Sequence, residues 1–71
     1  MKKYIETVIE RADGLNEYGV QVVNELVKIQ TACNTEYVWY KTVCGNKSIV
    51  CSFKTEKRMR VAMADFGFYN T

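Results

Sequence analysis

The side chains able to do chemistry in this 71-residue chain are few, and histidine is missing altogether. Without an imidazole the usual general base is gone, and with it the Ser-His and Cys-His nucleophile pairs and the commonest zinc ligand. The three cysteines, Cys33, Cys44 and Cys51, have no CxxC spacing, so no structural zinc site is expected. The eight acidic residues contain no DxD or DxE run of the kind that gathers a divalent cation. No GxGxxG or GxxxxGK[ST] loop is present to cradle a nucleotide. Asp65-Phe66-Gly67 matches a kinase tripeptide, but the chain is far too short for a kinase, and Gly67 is better explained as a helix C-cap. These exclusions predict a non-enzymatic protein with no cofactor and no metal.

What remains is chemistry of contact. Lys54, Lys57, Arg58 and Arg60 cluster around Thr55, a helix N-cap by residue type. Cations in a first helical turn oppose the macrodipole, and Glu56 offsets part of that through an i,i+4 pair with Arg60. With the free N–H groups behind Thr55, the cluster predicts a site for phosphate or an acidic partner. The plainer alternative is a solvated helix face. Upstream, Tyr37, Trp39 and Lys41 alternate along an extended run, so they share one side of a strand. If that side is open, it suits a protein interface or the stacking of single-stranded bases. If a helix covers it, Trp39 is a core residue. The candidate partner-binding residues are therefore Tyr37, Trp39, Lys41, Lys54, Lys57, Arg58 and Arg60.

The element that positions most of them is a hairpin over residues 36–54, with strands Tyr37–Val43 and Ser48–Phe53. A two-residue Gly45-Asn46 loop pairs Thr42 with Ile49, Tyr40 with Cys51 and Val38 with Phe53. That register places Val38, Tyr40, Thr42, Cys44, Ile49, Cys51 and Phe53 on one face as the expected core. Tyr37, Trp39, Lys41, Val43, Ser48, Val50, Ser52 and Lys54 fall on the other, with Tyr37 opposite Lys54 in reach of a cation–π contact.

Ile5, Val8, Ile9 and Ala12 recur at helical spacing before Gly14, which predicts a first helix over residues 2–12; an edge strand is the alternative. Leu15, Tyr18, Val22, Leu26, Ile29 and Cys33 predict a second helix over 16–33, with Asn16 as N-cap and Asn34 as stop. Met59, Ala62, Met63 and Phe66 predict a third from Thr55 to Phe66, with Gly67 at C′ and Phe68 returning to the core. The expected fold is a single α+β domain over 1–71, ordered helix-helix-β-hairpin-helix. With an N-terminal strand it becomes β-α-β-β-α on a three-stranded antiparallel sheet.

Composition fits a small globular domain, 48% hydrophobic and 25% charged. Glu6 and Glu10 interrupt the N-terminal apolar run, so neither a signal peptide nor a membrane span is expected. An odd cysteine count argues against a secreted disulfide framework and for the cytoplasm, with Cys33 and Cys51 read as small buried hydrophobes. Residues 1–35 carry four basic and five acidic side chains, and 36–71 carry six and three, so the basic excess is local. Size and elimination point to a protein-binding module, such as a phage-type regulator or inhibitor docking on a host protein. A single-stranded nucleic-acid or phosphate-binding accessory protein is the rival reading. A homodimer joined through hairpin edges is compatible with both.

Overall fold

In the computed structural model, which describes residues 4–69, the chain is an antiparallel four-stranded meander followed by one helix. The elements are β1 (Tyr4–Leu15), β2 (Gln21–Thr31), β3 (Thr35–Val43), β4 (Asn46–Phe53) and α1 (Glu56–Phe66), with sheet order β1-β2-β3-β4. This corrects the expected helix-helix-hairpin-helix order; the N-terminal edge strand of the β-α-β-β-α alternative is found, but its second element is also a strand and the sheet has four strands instead of three. Lys2 and Lys3, at the start of the expected first helix, lie outside the described residues.

The reason lies in β2. Val20, Val22, Val23, Val27, Ile29 and Thr31 are β-branched and favour extended backbone. Apolar residues stand on both sides of the strand, so the steps 22, 26, 29 satisfy a helical period without a helix forming. Asn16 caps a turn instead of a helix: its Oδ1 accepts from the N–H groups of Tyr18 at 2.9 Å and Val20 at 3.0 Å. Gly19 completes that turn at φ 76. At the β2–β3 turn the Asn34 N–H donates to Thr31 Oγ1 at 3.0 Å, and the Thr31 hydroxyl donates to the Asn34 carbonyl at 3.1 Å. Short polar side chains that satisfy helix ends satisfy tight turns equally well.

The hairpin and α1 form where the sequence places them. The hairpin loop is Cys44-Gly45, at φ 53 and 79, not Gly45-Asn46, and Val43 pairs with Asn46. Two positive φ values in succession are the signature of a type I′ turn. A bulge then inserts Val50 into β4, so Tyr40 faces Ile49 while Trp39 faces Cys51 and Tyr37 faces Phe53. A second bulge interrupts β1 between Val8 and Glu10. Thr55 Oγ1 accepts from the Arg58 N–H at 3.3 Å, and Gly67 ends the helix in the left-handed region at φ 76.

α1 packs on β3 and β4 and covers one face of the sheet. Leu26, Trp39, Met59, Met63 and Phe68 form the core, with Ile9, Ala12, Tyr37, Cys51 and Phe53 packed around it. Phe66, expected on the buried stripe, is 71% exposed, and Phe68 takes the core position instead.

Candidate functional site

The expected core face is divided: Val38 is buried and Cys51 and Phe53 pack on the core, but Tyr40, Thr42 and Ile49 lie on the side away from α1, and the expected contact residues Tyr37 and Trp39 take the core side. Tyr37, Trp39 and Lys41 do share one side of β3, but that side lies under α1. Trp39 is only 2% exposed; its ring sits 5.3 Å from that of Phe68, and its Nε1–H donates to Asn24 Oδ1 at 2.9 Å. Trp39 therefore offers no contact surface. A buried indole needs an acceptor for its N–H, and Asn24 supplies it on the helix-covered face. The bulge at Val50 brings Cys51 and Phe53 to the same side, completing an apolar bowl for Met59 and Met63.

Tyr37 is half-buried against this core, opposite Phe53 instead of Lys54. The cation–π contact found among the described residues is on the other face, where Lys47 Nζ stands 4.4 Å from the Tyr40 ring centroid. Lys41 is half-buried, and its carbonyl accepts from the Ser48 hydroxyl at 3.3 Å. Arg60 is engaged by two carboxylates: Glu10 on β1 at 3.1 Å and Glu56 at 3.1 Å. The Arg60 guanidinium holds the Glu10 carboxyl below the ordinary value near 4.5, and the Tyr69 hydroxyl adds to this. Arg60 is thus a strut between α1 and the edge strand. Lys54, Lys57 and Arg58 are exposed, and none of them forms a salt bridge among the described residues.

The surface that sequence reasoning missed is the uncovered side of the sheet. Cross-strand register places Val8, Val27 and Val38 in one row, with Arg11, Glu25, Tyr40 and Ile49 in a second. Asp13, Val23, Thr42 and Lys47 form a third row beside it, and Glu6, Ile29 and Glu36 a fourth on the far side. Val8 is 53% exposed and Ile49 62%, Val23, Ile29 and Tyr40 are half-buried and Val27 and Val38 buried, with no element among the described residues packed over them. The face interleaves apolar and charged side chains: Glu25 stands at its middle on β2, and the edge strands contribute Val8 and Ile49 beside Arg11, Asp13 and Lys47. Four carboxylates (Glu6, Asp13, Glu25, Glu36) outnumber two cations (Arg11, Lys47), and Arg11 pairs with Asp13 at 3.1 Å. The alternation of Val38, Tyr40, Thr42 and Ile49 signalled an apolar side; nothing in the sequence says which of two apolar sides receives the helix.

Cys33 was expected to be buried but is exposed in the β2–β3 turn, and Cys44 is exposed in the hairpin loop. Cys51 is half-buried against the core, where burial pushes its thiol up and keeps the nucleophilic thiolate scarce. Among the described residues no helix is long and apolar enough to cross a membrane. The hairpin-edge dimer loses one of its two edges, because β3 is an inner strand bonded to β2. No family model matches the chain, and neither curated proteins nor solved structures yield a significant match.

Proposed function

We propose that this chain is a small non-enzymatic protein-binding module, of the size used for regulators and inhibitors, and that it docks through the open face of its sheet. The carrying observation is that face itself: Val8, Val23, Ile29, Tyr40 and Ile49 present apolar surface interspersed with charged side chains, and no element among the described residues covers them. Exposed apolar surface set among polar residues is characteristic of protein interaction sites. The sheet positions the surface rigidly, which limits the ordering cost of docking.

The excess of carboxylates disfavours nucleic acid on this face, since a phosphate backbone meets like charge there. The cations that would attract phosphate, Lys54, Lys57 and Arg58, lie at the start of α1, and Trp39 is not available to stack bases.

The test is retention of protein on the immobilised chain after nuclease treatment, with the chain's own soluble copy among the candidates. Val8→Glu with Ile49→Glu should abolish retention while circular dichroism is unchanged, because both side chains are mostly solvent-exposed. Lys57→Glu with Arg58→Glu should leave it intact. Retention lost only in the second pair moves the docking surface to the helix start and overturns the assignment.

A further inference from the structure

The open face carries Asp13 and Lys47 at opposite edges of one cross-strand row. We propose that a second copy of this chain covers it, two sheets packing face to face about a two-fold axis parallel to the strands. The proposal rests on the reading of this face as a protein-docking surface and names the protein.

Two two-fold arrangements of facing sheets are available. An axis across the strands lays β1 over β1 with its ends reversed, bringing Glu6 of one copy over Asp13 of the other. That places carboxylate against carboxylate. An axis along the strands lays β1 over β4 and β2 over β3. Asp13 and Lys47 stand in one cross-strand row, at opposite edges of the sheet. In this arrangement each Asp13 meets the Lys47 of the second copy, and the contact occurs twice. Val27 then lies over Val38, each already only 4% exposed within one copy. Glu25 comes over Tyr40, whose hydroxyl can donate to the carboxylate. The same axis sets Arg11 over Ile49 and Ile29 over Glu36, so its complementarity is carried by the doubled Asp13–Lys47 contact, where the across-strand axis opposes carboxylates. Aligned sheets of this kind cross at about −30° and pack about 10 Å apart.

Size and edges agree. The molecule is a slab of 42 × 27 × 15 Å, so its broad side can supply the roughly 800 Å² per partner that a standard interface buries. Association through sheet edges is discouraged, because both edge strands, β1 and β4, carry a bulge that interrupts the ladder. The face-to-face dimer leaves α1 and its Lys54, Lys57 and Arg58 on the outside of each copy.

The test is sedimentation equilibrium of the purified full chain with a charge-reversal set. Wild type should associate to a dimer. Asp13→Lys and Lys47→Asp should each weaken association by about tenfold, given two exposed contacts per dimer, and the Asp13→Lys/Lys47→Asp double variant should restore it. A wild type that stays monomeric at about 1 mM, where binding weaker than about 4 kcal/mol would escape detection, overturns the dimer. So does a double variant no better than either single one. A monomeric wild type whose protein retention is still abolished by Val8→Glu/Ile49→Glu leaves the docking reading standing and removes the second copy alone. A dimer indifferent to Val8→Glu/Ile49→Glu removes both.

Discussion

The Trp39 indole N–H donates to the carboxamide oxygen of Asn24 at 2.9 Å, two residues along β2 from its cross-strand partner Leu26, and both side chains are buried. The bond gives the buried indole N–H an acceptor, placed by β2, on the side of the sheet that α1 covers.

Replacing Asn24 by Ala should strand a buried donor and cost about 1–3 kcal/mol of stability. Trp39→Phe added to Asn24→Ala removes the donor and should cost less than the two single changes combined. Denaturant midpoints read by far-ultraviolet circular dichroism check both, since the fluorophore itself is changed.

The hairpin loop holds a correctable strain. Cys44 sits at φ 53, a region that costs a side chain roughly 1–2 kcal/mol and that Gly and Asn tolerate best. Cys44→Gly or Cys44→Asn should raise the melting temperature by a few degrees, corresponding to about 0.5–1 kcal/mol. Gly45→Ala should lower it, although nothing lies within 4 Å of the added carbon, because φ 79 is strained for alanine. Equal melting temperatures across the series would contradict the assigned loop.

Acid should release the strut between α1 and β1. The folded-state value of Glu10 is depressed by Arg60 first and Tyr69 second. Its contribution is therefore fully present above the ordinary carboxylate value near 4.5 and is lost as pH falls through the lower folded value. Wild type should be more stable than Glu10→Gln at neutral pH, and the two curves should converge below pH 4.5. A constant gap down to low pH would remove the ion pair as the cause.

Met59→Ala should cost about 2–5 kcal/mol, as buried large-to-small changes do, while Phe66→Ala at an exposed site should stay within about 0.5 kcal/mol. Urea titrations of the two variants separate these outcomes.

That contrast also marks what was legible in the chain. Thr55, Gly67 and Phe68 declared the helix and its ends, because caps are local chemistry. The hairpin was legible from its β-branched runs and its turn glycine. β1 was legible only as the edge-strand alternative to a first helix, and β2 was not legible, since Asn16 accepts in its turn as it would at a helix N-cap and Asn34 closes a turn where a helix stop was expected. The face assignment was lost at one residue: Val50, as a bulge, transfers Cys51 and Phe53 to the side of Trp39, and bulges have no signature in composition. Tyr37, Trp39 and Lys41 were correctly grouped on one side of a strand; which side the helix occupies depends on the long-range fit of Met59, Met63 and Phe68.

The second copy on the open face is tested most directly by light-scattering mass of the purified chain beside its Val8→Glu/Ile49→Glu variant. The account predicts about twice the 8.2 kDa chain mass for the wild type and the monomer mass for the variant, with identical circular dichroism. Two identical masses, whether both dimeric or both monomeric, would contradict it.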